Sequence, residues 1–343
     1  MADAGPARVP TLEAIDEKFG PPEQTDQPSG YFRRMVDADW LRRNGVYATL
    51  ALLIGVNVVI TDNFVSSNTL RLQLVQVAPV LIVALGMALV IGTEGIDLSV
   101  GATIALAAAI IPLYIGYGAP GAIGLALFAG VVTGSVAGLL VAGVGVQPIV
   151  ATLGIMVAGR GVANLLGGEI KSIRDPAIVS LGTDSVAGVP YVVVIAGAVS
   201  LVVWGVVRHS TYGRQLVAIG GNKRAAELAG LPVKRVLATT YVVSGVLAAL
   251  AGVLLAARSR ASDPTKIGLL MELAAITAVV VGGTPLSGGQ VRIVGTIAGA
   301  LLIQLIGATL IAHDIPDSTA QMVQAVIVVA AVYVQLGVRR ANR

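Results

Sequence analysis

The segment Gly92–Gly101 reads GTEGIDLSVG and sets Glu94, Asp97 and Ser99 inside a long stretch that is otherwise almost free of charge. A carboxyl at Asp97 has two uses. It can take up and release a proton, as intramembrane carboxyls do in ion-coupled carriers. Alternatively Asp97 or Ser99 can accept the free N–H groups that open the next helix, and so shape the loop. A related loop follows later, GGTPLSGGQ, Gly282–Gln290. With Gly95 set against Gly283, the residues Gly95, Leu98, Ser99 and Gly101 match Gly283, Leu286, Ser287 and Gly289. Ser99 and Ser287 then hold matching places and matching roles, whether the likeness reflects an internal repeat or chance among small residues. Two further charges, Arg160 and Glu272, also sit within apolar runs. Nothing else offers reactive chemistry. The chain has no cysteine, which excludes disulfides, thiol catalysis and cysteine-ligated metals. Two histidines, His209 and His313, leave little for a histidine metal site. With no carboxylate–histidine constellation, a membrane-embedded enzyme is disfavoured, and no cofactor or metal is expected on this chain.

The elements that must position these residues are membrane helices. Of the 343 residues 55% are hydrophobic and only 12% charged, about half the charged share of a soluble domain. Such a chain cannot cover a water-facing surface, so the fold class is all-α, a polytopic membrane protein. Apolar runs predict ten spans, near 45–62, 72–92, 99–116, 121–144, 148–167, 190–207, 237–257, 267–283, 292–311 and 319–336. The third and eighth are the weakest and could be broken or re-entrant. Polar glycine-rich backbone between spans needs protein or water around it, so the two related loops point to a path rather than a lipid-facing surface.

Positive residues mark the cytoplasmic side. They cluster before the first span (Arg33, Arg34, Arg42, Arg43), after the sixth (Arg208, Arg214, Lys223, Arg224, Lys234, Arg235) and after the tenth (Arg339, Arg340, Arg343). Ten spans place all three clusters, and both termini, on one side. The net charge of +4, distributed in this way, suits membrane orientation and not nucleic-acid binding. The chain then divides into an N-terminal cytoplasmic segment (1–44), a membrane domain (45–336) with a cytoplasmic loop at 208–236, and a short tail (337–343). Tyr31, Phe32 and Trp40 among the arginines read as an interfacial anchor. The first apolar run, near Gly45, reads as a retained span with no cleavable signal ahead of it. In this topology Arg160 and Glu272 lie in the outer half of the membrane, within roughly 3 Å of one depth at about 1.5 Å per residue. That predicts an ion pair, as a structural tie or a substrate contact. Asn57, Gln76, Thr152, Asn164, Gln304 and Gln324 are available to a solute path but serve equally as ties between helices.

The cytoplasmic loop carries its own short helix. Asn222 is a good N-cap, residues 223–229 are helix formers, Gly230 suits the stop and Pro232 prevents continuation. Ala225, Leu228 and Ala229 fall on one face. So small an apolar face favours docking to a protein over lying on lipid.

Four segments carry a resemblance. GIDLSVG at 95–101, GVQPIVATLGIMVAGRGVANLLGG from Gly145 to Gly168, TYGRQLVAIGGNKRAAELAGLPVKRV from Thr211 to Val236 and ELAAITAVVVGGTPLSGGQVRIVGTIAGALLI from Glu272 to Ile303 resemble, in the same order, motifs of bacterial ABC-transporter permeases of the ribose, xylose and galactose uptake branch. Thr93 and Glu94 depart from the small residues common there. The resemblance implies a subunit of the bacterial cytoplasmic (inner) membrane that translocates a pentose or hexose. It implies a separate cytoplasmic ATPase, which carries ATP and Mg, an extracytoplasmic sugar-binding protein, and a second permease chain, identical or not. It assigns ATPase coupling to Asn222, Ala225, Ala226, Leu228, Gly230 and Pro232. The chain has no G-x-x-x-x-G-K-[ST] loop of its own, so it is not the hydrolysing subunit. An ion-coupled secondary transporter using Asp97, Glu94 or Glu272, and an ABC permease for a nucleoside or amino acid, are the competing readings.

Overall fold

The computed structural model describes residues 38–316 and, beyond them, 318, 319, 321–323, 325 and 326. By its contacts the chain divides into two units, Met1–Leu41 and Arg42–Arg343, and the contacts below belong to the second. Nearly all of the expected interfacial anchor, the tail at 337–343, Gln324 and most of the span expected at 319–336 lie outside the described residues.

Twelve α-helices follow one another among the described residues. They are α1 (Ala38–Ile60), α2 (Ser67–Gly92), α3 (Val100–Tyr114), α4 (Ala119–Gly138), α5 (Pro148–Gly167), α6 (Pro176–Thr183), α7 (Tyr191–His209), α8 (Thr211–Gly221), α9 (Lys223–Leu228), α10 (Val233–Ser259), α11 (Met271–Val281) and α12 (Ile293–Ala312). A 3-10 turn, Ile115–Tyr117, extends α3, and a π-helical turn, Leu139–Val144, extends α4. Two minimal antiparallel pairs, Lys171–Ser172 with Ala261–Ser262 and Ser185–Val186 with Val189–Pro190, tie the connecting loops.

Seven of these helices are long and apolar enough to cross a membrane: α2, extended α3, extended α4, α5, α7, α10 and α12. Two shorter apolar helices are Asn44–Ile60 within α1 and α11. At about 1.5 Å per residue, the 11 residues of α11 reach roughly 16 Å, about half of the hydrocarbon thickness. The eighth expected span is therefore a half-length helix.

A helix that is apolar all round belongs inside, and α2 and α10 occupy the centre. Nearly every residue of α2 from Val77 to Gly92 is buried, and α10 buries residues along its length, from Val233 to Ala257, packing against α2, α3 and α4. The approach of α4 to α10 depends on glycine at four-residue spacing. A Cβ on Gly134 would stand 2.5 Å from the Tyr241 carbonyl oxygen, and one on Gly138 would stand 2.9 Å from Ala238 Cα. Close backbones of this kind hold membrane helices where apolar burial supplies no drive. By contrast α5 and α7 turn large apolar side chains outward, with Val157 65%, Leu165 86% and Leu201 70% exposed. Lipid or another protein must cover them.

The polar residues offered to a path mostly tie helices instead. Asn57, 1% exposed, accepts from Thr309 Oγ1 at 2.8 Å and Thr61 Oγ1 at 3.1 Å, joining α1 to α12. Gln304 Nε2 donates to Gln76 Oε1 at 2.6 Å, joining α12 to α2. Asn164 alone of the described set stands exposed. Asn57→Ala should lower stability by about 1 kcal/mol, read as an earlier thermal midpoint in detergent. An unchanged midpoint would reject the tie.

Candidate functional site

The first polar loop leaves α2 at Gly92 and enters α3 at Val100. Asp97 is its hub and is 1% exposed. Its Oδ1 accepts from the Ser99 N–H at 3.0 Å and from Ser99 Oγ at 2.5 Å. Its Oδ2 accepts from Ser244 Oγ of α10 at 2.8 Å. Ser99 holds the N-cap position of α3 but makes no capping bond there. Its hydroxyl donates to Asp97, so the carboxyl shapes the loop and ties it to α10. The loop is also tied to α5. Thr152 Oγ1 accepts from the Leu98 N–H at 3.1 Å, and the Ile96 and Pro148 carbonyls lie 3.2 and 2.9 Å from it, within reach of its proton.

Gly95 makes room for a second buried group. Tyr241, fully buried on α10, carries a hydroxyl without a hydrogen-bond partner. A Cβ on Gly95 would stand 2.6 Å from that hydroxyl. Glu94 adopts φ 66° at the start of the loop and is exposed.

The second loop follows α11 and precedes α12, in parallel with the first. Gly283, Gly288 and Gly289 all have positive φ, a conformation in which a Cβ is strained. Leu286 packs against the core. The polar ties here run through Thr284, fully buried, whose Oγ1 accepts from the Arg292 N–H at 3.0 Å. Ser287 is half-buried and stands outside that tie, so the matching serines do not share a role. The two loops touch each other: Gly289 N–H donates to the Gly92 carbonyl at 3.0 Å.

Arg160 and Glu272 converge on one turn, residues 263–270. The guanidinium donates to the carbonyls of Pro264, Ile267 and Gly268 at 3.1, 2.8 and 3.2 Å. Glu272, at the start of α11, is near enough to interact electrostatically with it, but its buried Oε2 has no hydrogen-bond partner. In place of the expected direct ion pair, the arginine holds a turn that exposes several carbonyls, a task its forked donors suit. Gly101 lies against the same place. A Cβ there would collide with Glu272 Oε2 and stand 2.7 Å from the Gly268 carbonyl. The first loop therefore runs from Gly92, beside the second loop, to Gly101, beside Glu272, and these are opposite ends of half-length α11. It is no surface turn. In the same turn Asp263 is half-buried, and the Thr265 hydroxyl, 2.6 Å away, holds its carboxyl below the usual range.

Beyond α7 the chain forms two helices where one was expected. Ser210 caps α8 by accepting from the Gly213 N–H at 3.0 Å, and α8 buries Gly213, Leu216, Ile219 and Gly220. Tyr212 Oη lies 2.7 Å from Thr240 Oγ1, tying α8 to α10. Asn222 then caps α9, accepting from the Ala225 N–H at 2.9 Å. Gly230 ends it at φ 76°, with the Leu231 N–H donating to the Ala226 carbonyl at 3.0 Å. Pro232 stands just before α10. Ala226 is buried, whereas Ala225, Leu228 and Ala229 are exposed on one face, Leu228 at 76%. Sequence reasoning missed Tyr241, Ser244, Gly220 and Gly268, which become functional candidates only through what they touch.

Residues 70–332 match the family described as branched-chain amino acid transport system / permease component. The chain is 40% identical over 263 residues to the galactofuranose transporter permease protein of Escherichia coli (strain K12), covering 76% of this chain and 77% of that one. It is 37% identical over 309 residues to the ribose import permease protein of the same strain, covering 88% and 96%. It is 36% identical over 270 residues to the fructose import permease protein of Bifidobacterium longum (strain NCC 2705), covering 77% and 76%. No solved structure matches.

Proposed function

The chain belongs to the branched-chain amino acid transport system / permease component family, and from that membership we propose how it works as the multi-pass permease subunit of a bacterial inner-membrane ABC importer for a monosaccharide. The sugar class rests on the similarity to permeases named for galactofuranose, ribose and fructose. In this reading the chain hydrolyses nothing. A separate ATPase docks on the cytoplasmic side, a binding protein delivers the sugar outside, and a second permease chain completes the path against the apolar faces of α5. Ten passages with both termini cytoplasmic account for the arginine clusters, the eighth being made by the 263–270 turn and half-length α11 together.

One observation carries the docking assignment. Helix α9 is capped at both ends, sits outside the membrane-crossing helices and leaves Ala225, Leu228 and Ala229 uncovered. A helix laying such a face into a groove is a common mode of protein recognition. The test is reconstitution of the full chain in liposomes with the ATPase and the binding protein, offering D-ribose, D-fructose, L-arabinose and D-galactose. Uptake of one of these should require all three components and Mg-ATP. Ala225→Glu or Gly230→Glu should reduce that uptake at least tenfold and release the ATPase, leaving binding-protein affinity unchanged. Uptake by the chain alone would reject the ABC mechanism, and retained ATPase in both variants would reject the docking site.

A further inference from the structure

The end of α8 meets both polar loops backbone to backbone. Gly220 has no space for a Cβ, which would collide with the Gly92 carbonyl oxygen and stand 2.7 Å from the Gly289 nitrogen. Gly288, at φ 71°, has room only for a hydrogen there, since a Cβ would come 2.8 Å from both the Glu94 nitrogen and the Gly220 oxygen. The Gly289 N–H to Gly92 carbonyl bond closes the third side. Three chain segments thus touch with no side chain between them: the end of α8, the exit of α2 and the approach to α12. On its other side α8 is separated from α9 by Asn222 alone. The Asn222 N–H closes α8 on the Ala218 carbonyl at 3.1 Å, and its Oδ1 caps α9. Leu216 and Ile219 are fully buried and seat α8 in the core.

We propose that Gly220 is a positioning residue of the transport cycle: it passes displacement of the α8–α9 unit at once to the Gly92 end of the first loop and the Gly289 end of the second. The inference rests on α9 being the ATPase dock. Its physical basis is that contacting backbones cannot absorb a displacement by changing rotamer, whereas a side chain between them would. Close-packed elements move as units rather than deforming continuously. The two loops lead into α3 and α12, so one push reaches both.

The chain has no cysteine, so single cysteines report cleanly. Glu94→Cys and Gln290→Cys place one in each loop at exposed positions. In the reconstituted complex with the ATPase, maleimide labelling of both should change at least threefold between Mg-ATP and nucleotide-free conditions. Adding Gly220→Ala should abolish both changes while the ATPase still co-purifies, and the sugar carried per ATP hydrolysed should fall at least tenfold. Leu216→Ala, which loosens the seat of α8 without adding a clash, should act in the same direction and serves where Gly220→Ala does not insert. Gly221→Ala, whose Cβ meets nothing within 4 Å, should keep both changes. Labelling changes that survive in Gly220→Ala or Leu216→Ala, or that are absent with Gly220 in place and the ATPase bound, overturn the proposal. Failure of the ATPase to bind the chain with Gly220 in place overturns the docking reading, and this inference with it.

Discussion

Asp97→Ala is expected to abolish uptake and to cost about 2–5 kcal/mol of stability, because it strands buried donors. Ser99 N–H, Ser99 Oγ and Ser244 Oγ all donate to this one carboxyl, and none is exposed to water. The hydroxyls can turn to helical carbonyls, but the Ser99 N–H cannot. The loop would lose its tie to α10 and, with it, the geometry of the α3 entry. Asp97→Asn separates structure from proton chemistry. The amide oxygen still accepts from Ser99, and the amide N–H groups can donate to Ser244 Oγ. If Asp97 only shapes the loop, Asp97→Asn should retain uptake within about fivefold and lose roughly 1 kcal/mol. If Asp97 carried a proton through each cycle, the variant would insert normally, keep its thermal midpoint and yet carry no sugar. Uptake per inserted chain, with the midpoint in detergent, decides between these outcomes. The network in place favours the first.

The sequence was legible where local chemistry decides the structure. The α9 cap at Asn222, the stop at Gly230 and the outward face of Ala225, Leu228 and Ala229 follow from residue types at fixed offsets. Apolar runs of span length locate α2, α4, α5, α7, α10 and α12 for the same reason. Helix α8 was hidden because Gly213, Gly220 and Gly221 read as loop residues, although Tyr212, Leu216 and Ile219 mark a helical face. Gly213 and Gly220 serve close approach to other chain segments, which only the assembled fold reveals. Ser244 and Tyr241 could not be recognised in advance either. On an apolar helix a hydroxyl reads as a packing residue until a carboxyl from a neighbouring loop is found opposite it. For Arg160 and Glu272 the depth argument brought the right residues together and mistook the partner, because opposite charges suggest each other in a sequence while backbone carbonyls go unseen.

Gly101→Ala is expected to have the second large effect, and its cause differs. The added methyl collides with Glu272 Oε2 and comes 2.7 Å from the Gly268 carbonyl. The carbonyl cannot retreat easily. Arg160 holds that carbonyl, and Gly268 itself has φ 77° against the same stretch of α3. Overpacking of this kind costs about 1–3 kcal/mol, and uptake should fall at least tenfold because α3 must shift away from α11. The carboxyl and the carbonyl can be told apart by a cycle. Adding Glu272→Ala removes one obstacle and should return part of the loss, with a coupling energy of roughly 1–2 kcal/mol between the two sites. Gly124→Ala, on α4, is the control: its Cβ meets nothing within 4 Å, and it should leave uptake unchanged. If Gly101→Ala and Glu272→Ala prove additive, Gly101 is not the seat of Glu272, and the first loop does not reach the Met271 end of α11. A positive coupling fixes that reach. Asp97, three residues along the same path from Glu94 towards Gly101, is then tied to α10 between the two ends of α11, among apolar helices where an untied carboxyl is costly.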